Sequence, residues 1–350
     1  MKGILRTERG IALFLVLWVM ALLTVIAGEF CYAIRTEVNV TRNFKEETQT
    51  YYIAVSGLFH TIQELVANDY VPRQAAVSVP AREEEPEDVR WRINTDIPPV
   101  SFGDGQFKVE KENESGKVNL NRAAEHLLRM ILNNFAIEAA DKDIIVDSIQ
   151  DWRDSDNLHR VNGAEDDYYL SLPQPYKCKN GDFTSVEELL LVRGVTPEIF
   201  YGGLKDMVAV YQDKEMGTTP VTGTTPVTGS AQVRRYEFDY NRININAASQ
   251  QMLRALPRMT EDAVQAIMKY REKKDFRSLT DLQLLIGSEI YAGISSYITL
   301  SLAPYYTIKS VGMIEGSRTR QGVQAVVKID RSLKKGYEII QWIDGLEYRS

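Results

Sequence analysis

The sequence predicts an α+β fold: a long N-terminal helix packed on a small antiparallel sheet, with a large two-lobed α-helical domain inserted into that sheet. Three observations predict it. An uncharged apolar run from Ile11 to Gly28 leads into an amphipathic stretch that ends at Asn68-Asp69 and Pro72. Strand-like segments at Val89–Asn94 and Gly105–Lys111 resume only at Tyr305–Val311, Gln321–Asp330 and Tyr337–Trp342, and the chain between Lys117 and Ser301 is helical in pattern. That insert opens twice with one phrase, Val118-Asn119-Leu120-Asn121 and Ile243-Asn244-Ile245-Asn246.

The first element begins as a membrane segment. About 20 apolar residues at 1.5 Å rise match a hydrocarbon core of roughly 30 Å. Glu29 interrupts the run, and apolar character continues to Arg35. Lys2, Arg6 and Arg9 precede the helix, which places the N-terminus in the cytoplasm and the bulk of the chain in the periplasm. A secretory signal is cut after its apolar segment. Here the processing point lies before it, between Gly10 and Ile11, so the segment is retained. Leader, glycine and retained helix resemble type IV prepilins and pseudopilins; a plain single-pass anchor is the competing reading. Val55, Leu58, Phe59, Ile62, Leu65 and Val66 then form one apolar stripe, extending the helix to about 85 Å. An anchor followed by a separate soluble helix fits the same spacing.

The expected organisation is a leader over 1–10, the transmembrane part of the helix over 11–34, and a periplasmic helix with the first strands over 35–116. A first α-lobe spans 117–213, a second 234–301, and the remaining strands 302–350. Between the lobes, residues 214–233 carry a hexapeptide twice, Gly217-Thr-Thr-Pro-Val-Thr and Gly223-Thr-Thr-Pro-Val-Thr. That composition cannot bury a core, so it reads as a flexible linker. Asn121 and Asn246 read as helix N-caps, and each lobe later has a Phe-x-Ser turn, at Phe183 and Phe276.

This duplication is of sterile-alpha-motif-like or helix-hairpin-helix type and raises the question of DNA. Hairpins that grip DNA bring backbone amides to a phosphate at a glycine. The turn Leu256-Pro257-Arg258-Met259-Thr260 has no glycine, and neither has Asn133-Asn134-Phe135-Ala136. Gly194 lies in a later turn. A net charge of −7 also argues against a general nucleic-acid binder. A membrane-anchored DNA-uptake receptor remains the alternative, and no nucleic-acid partner is expected. Three histidines and two cysteines offer no evident zinc site, and Cys31 and Cys178 lie too far apart along this layout to bridge. Gly103-Asp104-Gly105 is a turn without the rest of a nucleotide motif, and no nucleophile–base arrangement is present, so the chain reads as a non-enzyme.

The strongest chemical signal is Asp151-Trp-Arg-Asp154-Ser-Asp156 followed by Asn162-Gly-Ala-Glu165-Asp166-Asp167-Tyr168-Tyr169. Six carboxylates so close repel unless solvated or neutralised, and clustered hard oxygens suit Ca²⁺. The spacing is not that of an EF-hand. A solvated acidic loop is the competing reading, and Trp152, Tyr168 and Tyr169 count against it.

These motifs, with Pro175-Tyr176, Asn180-Gly181, Glu188-Leu-Leu-Leu-Val-Arg-Gly-Val195 and Ile243-Asn-Ile-Asn246 behind a prepilin-type leader, resemble minor pseudopilin K of type II secretion systems. The resemblance implies a pilin-like fold carrying a calcium-binding α-domain. It also implies prepilin peptidase cleavage after Gly10 and methylation of Ile11. The subunit would sit in the inner membrane and then at the tip of the periplasmic pseudopilus, beside minor pseudopilins I and J, where it would help start assembly for protein export. The expected ligands are Asp151, Asp154, Asp156, Glu165, Asp166 and Asp167, with Asn162 or carbonyls completing the shell. Most pilins have Glu at the fifth mature position; Leu15 stands there, a departure that K-type pseudopilins share.

Overall fold

The apolar run and the amphipathic stripe form one continuous helix, α1, Glu8–Ala67. The computed structural model describes residues 8–67, 92–93, 95–211, 238–330 and 332–345. The leader before residue 8, the Glu83–Asp88 loop, most of the Val89–Asn94 segment and the 214–233 linker lie outside the described residues. Arg92 and Ile93, which are described, belong to no strand. Gly10 and Ile11 lie within the helical backbone of α1.

Two halves of α1 meet different surroundings. Every residue from Ala12 to Lys45 is exposed, and the apolar part is long enough to cross a membrane. From Thr50 onward one side goes under: Thr50, Ala54, Leu58, Ile62 and Leu65 are buried, at helical spacing. Phe59, expected in the stripe, is 37% exposed because it stands one residue off that side; it lies near Trp342 instead.

The buried side lies on five strands, β1 (Val100–Phe102), β2 (Gly105–Asn113), β3 (Tyr305–Ile314), β4 (Arg320–Ile329) and β5 (Tyr337–Asp344). All neighbours are antiparallel, in chain order. A β-bulge between Val326 and Val327 leaves Ile340 unpaired on β5. Gly312 lets the sheet approach α1 closely, since a Cβ there would overlap the Thr50 carbonyl.

β2 and β3 are paired from Gly105↔Ile314 to Asn113↔Tyr306, so residues 114–304 are an insertion between two adjacent strands. Asn113 closes its base: Nδ2 donates to Ala303 O at 2.8 Å, and Oδ1 accepts from Ala303 N and Ser115 N. Lys117 stands beside it, 3.0 Å from Glu112 and 3.1 Å from Glu114. Gly116 packs so tightly on Ala247 that a Cβ would overlap its carbonyl, and Ala247 belongs to the core between helix and sheet.

The insert has α2 (Glu125–Ile131) and α3 (Ala139–Arg153) in the first lobe. The second has α4 (Gln250–Ala255), α5 (Glu261–Lys273), α6 (Leu279–Ile286) and α7 (Ser288–Ile294). Short parallel bridges tie the ends of each lobe, Val118-Asn119 to Val208-Ala209 and Ile243-Asn244 to Ile298-Thr299. Both lobes share one core. Across their contact Asn134 donates to Gln251 O at 2.8 Å, and His126 meets the Tyr297 ring edge-on.

The asparagines do not cap helices. The N-caps are Ala124 and Ser249, because each chain turns into its helix three residues after the asparagine. Asn121 instead accepts from Phe183 N at 2.7 Å and donates to Phe183 O and Val210 O. Asn246 repeats this on Phe276 N and O. Asn119 and Asn244 accept from the amides two residues on and donate to carbonyls of the returning chain, at Tyr211 and at Leu300 and Ser301. Each Asn-x-Asn phrase is a staple between chain segments remote in sequence, buried at Asn119, Asn121 and Asn244 and half-buried at Asn246.

Candidate metal centre

The acidic segment starts from the end of α3, where Ile145, Ile149 and Trp152 are buried and hold the helix in the core. Trp152 lies against Tyr169, Tyr176 and Phe183, with ring centroids 5.3, 6.3 and 6.5 Å apart. These rings, with Ala164, Leu172 and Cys178 in the same core, anchor an otherwise polar stretch. Arg193 fastens it from outside: its guanidinium stacks 4.7 Å from the Tyr168 ring and donates to Gly163 O at 3.0 Å, while its amide donates to Tyr169 OH.

Three of the expected ligands converge. Asp154, Asp156 and Glu165 each offer an oxygen, all within 4.8 Å of one another. Asp154 Oδ1 and both carboxylate oxygens of Glu165 are buried without a hydrogen-bond partner, and Glu165 is 1% exposed. Burial, reinforced by Asp151, Asp154 and Asp156, raises the Glu165 carboxyl to about 7. The Cys178 thiol lies beside it and opposes that rise, but a thiol is a weak donor and leaves the oxygens unsatisfied. A buried carboxylate without donors is costly unless a cation or proton occupies the place.

The other expected ligands are not brought into this group. Asp151 is fully buried, and its carboxylate is taken by Arg160, whose Nη1 lies 2.5 Å from Oδ1 and whose amide donates to both oxygens. Burial pushes the Asp151 carboxyl up, and these hydrogen bonds pull it partly back. Gly163 packs on the same carboxylate so closely that a Cβ would overlap it. Asn162 turns to Asp147, donating through N and Nδ2 at 3.1 and 3.0 Å. Asp166 accepts from Cys178 N at 2.9 Å, and Asp167 is exposed. A segment with this many carboxylates disperses them over several donors rather than pointing all at one centre.

Arg160, Asp147 and Cys178 were missed by sequence reasoning. Arg160 had a visible signal, as the one arginine between Asp154 and Asp167. Asp147 and Cys178 had none, because their roles depend on how the segment folds back on α3.

The second helical lobe has no such group among the described residues. Its hairpin between α4 and α5 holds Arg258 at φ +59°, the left-handed region that favours glycine, and Glu261 and Asp262 open α5. A hairpin presenting carboxylates at its helix start repels a phosphate.

Comparison with known proteins agrees with this architecture. Residues 108–213 match the family model for type II secretion system protein K, first domain, and residues 239–295 match the helix-hairpin-helix motif. Type II secretion system protein K of Pectobacterium carotovorum subsp. carotovorum is 27% identical over 205 residues, 55% of this chain and 60% of that protein. The Aeromonas hydrophila protein K is 25% identical over 214 residues, 56% of this chain and 61% of its own length. The matched stretch thus spans about 60% of these relatives. A chain in the crystal structure of the GspK–GspI–GspJ complex from the enterotoxigenic Escherichia coli type 2 secretion system shares the fold. It has a TM-score of 0.54 at 16% identity, covering 87% of this chain and 99% of that one. In the domain that bears the acidic segment the chain is similar to type II secretion system protein K, and its fold is that of the K–I–J complex chain.

Proposed function

We propose that this chain is a minor pseudopilin of a type II secretion system, anchored in the inner membrane by the first half of α1 with its N-terminus cytoplasmic and its folded part periplasmic. The observation that carries this reading is the joining of two parts: a protein K domain inserted between adjacent strands of a sheet, and one helix whose apolar first half is exposed while its second half packs on the same sheet. The subunit caps the pseudopilus tip with minor pseudopilins I and J and helps start its assembly for export across the outer membrane. The solved structural neighbour was crystallised in a K–I–J complex, which supports those partners. Its role is structural rather than enzymatic, and prepilin peptidase releases it after Gly10, with methylation of Ile11.

The test is co-purification of the membrane-extracted chain with its own organism's minor pseudopilins I and J. A stable ternary complex is expected, and failure to retain either partner overturns the tip assignment. Intact mass of the same sample is expected to give a methylated N-terminus at Ile11, and Gly10→Val is expected to leave the precursor uncut. A mature chain starting at Met1 removes the processing claim.

The acidic group fits a calcium ion, with Asp154, Asp156 and Glu165 as its carboxylates. Ca²⁺ would supply positive charge to oxygens that lack donors, and the Trp152–Tyr169 rings would place the segment that bears them. Calorimetry on the chelated full chain is expected to show calcium uptake that Glu165→Gln weakens at least tenfold, whereas magnesium binds more weakly. No calcium uptake by the wild type overturns the assignment.

A second reading, a DNA-uptake receptor, has the helix-hairpin-helix match in its favour. Arg258 and the acidic start of α5 stand against it. A gel shift at physiological salt is expected to show no binding by the full chain; binding that persists as salt rises favours the receptor.

A further inference from the structure

The metal centre contains a cation of its own. Arg160 Nη1 lies 2.5 Å from Asp151 Oδ1 and 2.6 Å from Asp154 Oδ2, bridging a fully buried carboxylate and one that belongs to the convergent group. Its amide also donates to both Asp151 oxygens, at 3.3 and 3.1 Å, and its carbonyl accepts from Gly163 N at 3.1 Å. The Arg160–Gly163 turn is therefore fixed over Asp151 by its backbone as well as by its charge. Asp154 faces two ways: Oδ2 meets the guanidinium, and Oδ1 is buried without a donor.

That division of one carboxylate has a physical consequence. A guanidinium within hydrogen-bond distance of Asp154 lies only a few ångströms from any divalent ion that Asp154, Asp156 and Glu165 hold, and like charges so close repel. The same guanidinium offsets the mutual repulsion of Asp151 and Asp154 when no ion is present. Its side chain is 39% exposed, so solvent screens the effect without abolishing it.

We infer that Arg160 is a resident counter-cation of this centre, holding Asp151 and Asp154 in the ion-free chain and opposing the divalent ion that binds beside it, so that it sets the calcium concentration at which the centre fills. The inference rests on the calcium reading of the acidic group. It assigns to Arg160 a regulatory role rather than a ligand's role. Asp151 then serves as the buried seat of Arg160, which accounts for its separation from the convergent group.

The test is calcium calorimetry and thermal melting of the full chain, comparing wild type with Arg160→Met, Arg160→Gln and Arg160→Lys. Both neutral variants are expected to bind calcium about tenfold more tightly than wild type, a change of about 1.4 kcal/mol. In chelator both are expected to melt below wild type, because Asp151 loses its partner, so their melting temperatures rise more on adding calcium. Arg160→Lys keeps the charge and is expected to stay within about threefold of wild type in affinity. Neutral variants that bind calcium as wild type does, or more weakly, overturn the inference while leaving the calcium assignment intact. A wild type without calcium uptake removes both. If one neutral variant fails to fold in chelator, the other carries the comparison: a calcium-induced melting shift larger than that of wild type supports the inference, and an equal or smaller one overturns it.

Discussion

The two helical lobes are built on one framework and differ most at one place. In each, an Asn-x-Asn phrase staples the returning chain, and a buried or half-buried arginine from the end of a long helix reaches back to the opening carbonyls. Arg153 bonds Leu120 O and Ala123 O; Arg271 bonds Ala248 O at 2.6 Å. In each, the second asparagine holds a phenylalanine backbone, followed by a serine capping box, Ser185 with Glu188 and Ser278 with Asp281. Between arginine and phenylalanine, however, the second lobe has only residues 272–275, whereas the first has 154–182. The whole acidic segment is an insertion at that point. The framework therefore folds without it, and the extra segment must be held by contacts of its own: aromatic rings, Arg193, Arg160 and, as proposed, an ion.

The strongest way to break this comparison is to remove a staple. Asn121→Ala deletes three hydrogen bonds and strands buried groups of Phe183 and Val210, so unfolding free energy is expected to fall by about 3 kcal/mol. Asn246→Ala, at a half-buried position, is expected to cost less, about 2 kcal/mol. Both are read by denaturant melts of the full chain. Equal and negligible losses would mean that the staples follow from the fold rather than support it.

Removal of the ion is expected to separate the lobes. At a calcium concentration near 100 times Kd, chelation costs about 2.7 kcal/mol of stability. Hydrogen exchange should place the loss over residues 154–182 and leave α5 and α6 unchanged. Exchange that rises equally in both lobes would remove the claim that the segment is separately held.

The smallest expected effect is a pH dependence in the first lobe's capping box. Burial alone would raise the Glu188 carboxyl, but Lys179, the Thr184 hydroxyl and amide, and Trp152 Nε1 pull it down to about 2. Its folded value lies below its unfolded one, so its contribution is complete above the ordinary carboxylate range. It is lost as pH falls from that range through about 2. Acid melts of Glu188→Gln are expected to be flatter than wild type across that window, and parallel curves would contradict the assignment.

Much of this molecule was legible along the chain. The helix of α1 follows from apolar spacing, and strands at 105–113, 305–314, 320–329 and 337–344 lie within a few residues of where alternation placed them. The Gly103-Asp104 turn appears with Gly103 at φ +57°, and both Phe-x-Ser turns became capping boxes. β1 was missed because Val100–Phe102 is too short for any period to register. The asparagines were misread as caps, since their type and their place before a helix signal a local bond, whereas their partners lie 30 to 89 residues away in sequence.

The candidate site divides the same way. Hard oxygens in excess are a property of composition, so the sequence by itself pointed to calcium chemistry and to the segment that would carry it. Which carboxylates meet was decided only by tertiary structure. Asp154, Asp156 and Glu165 converge because the chain folds back over the end of α3, while Asp151 is buried against Arg160 and Gly163. Periodicity and composition report local preference and solvent affinity, which any short stretch expresses alone. Convergence of side chains depends on a turn's direction and on a shared core, and those exist only once the two lobes and the sheet have packed.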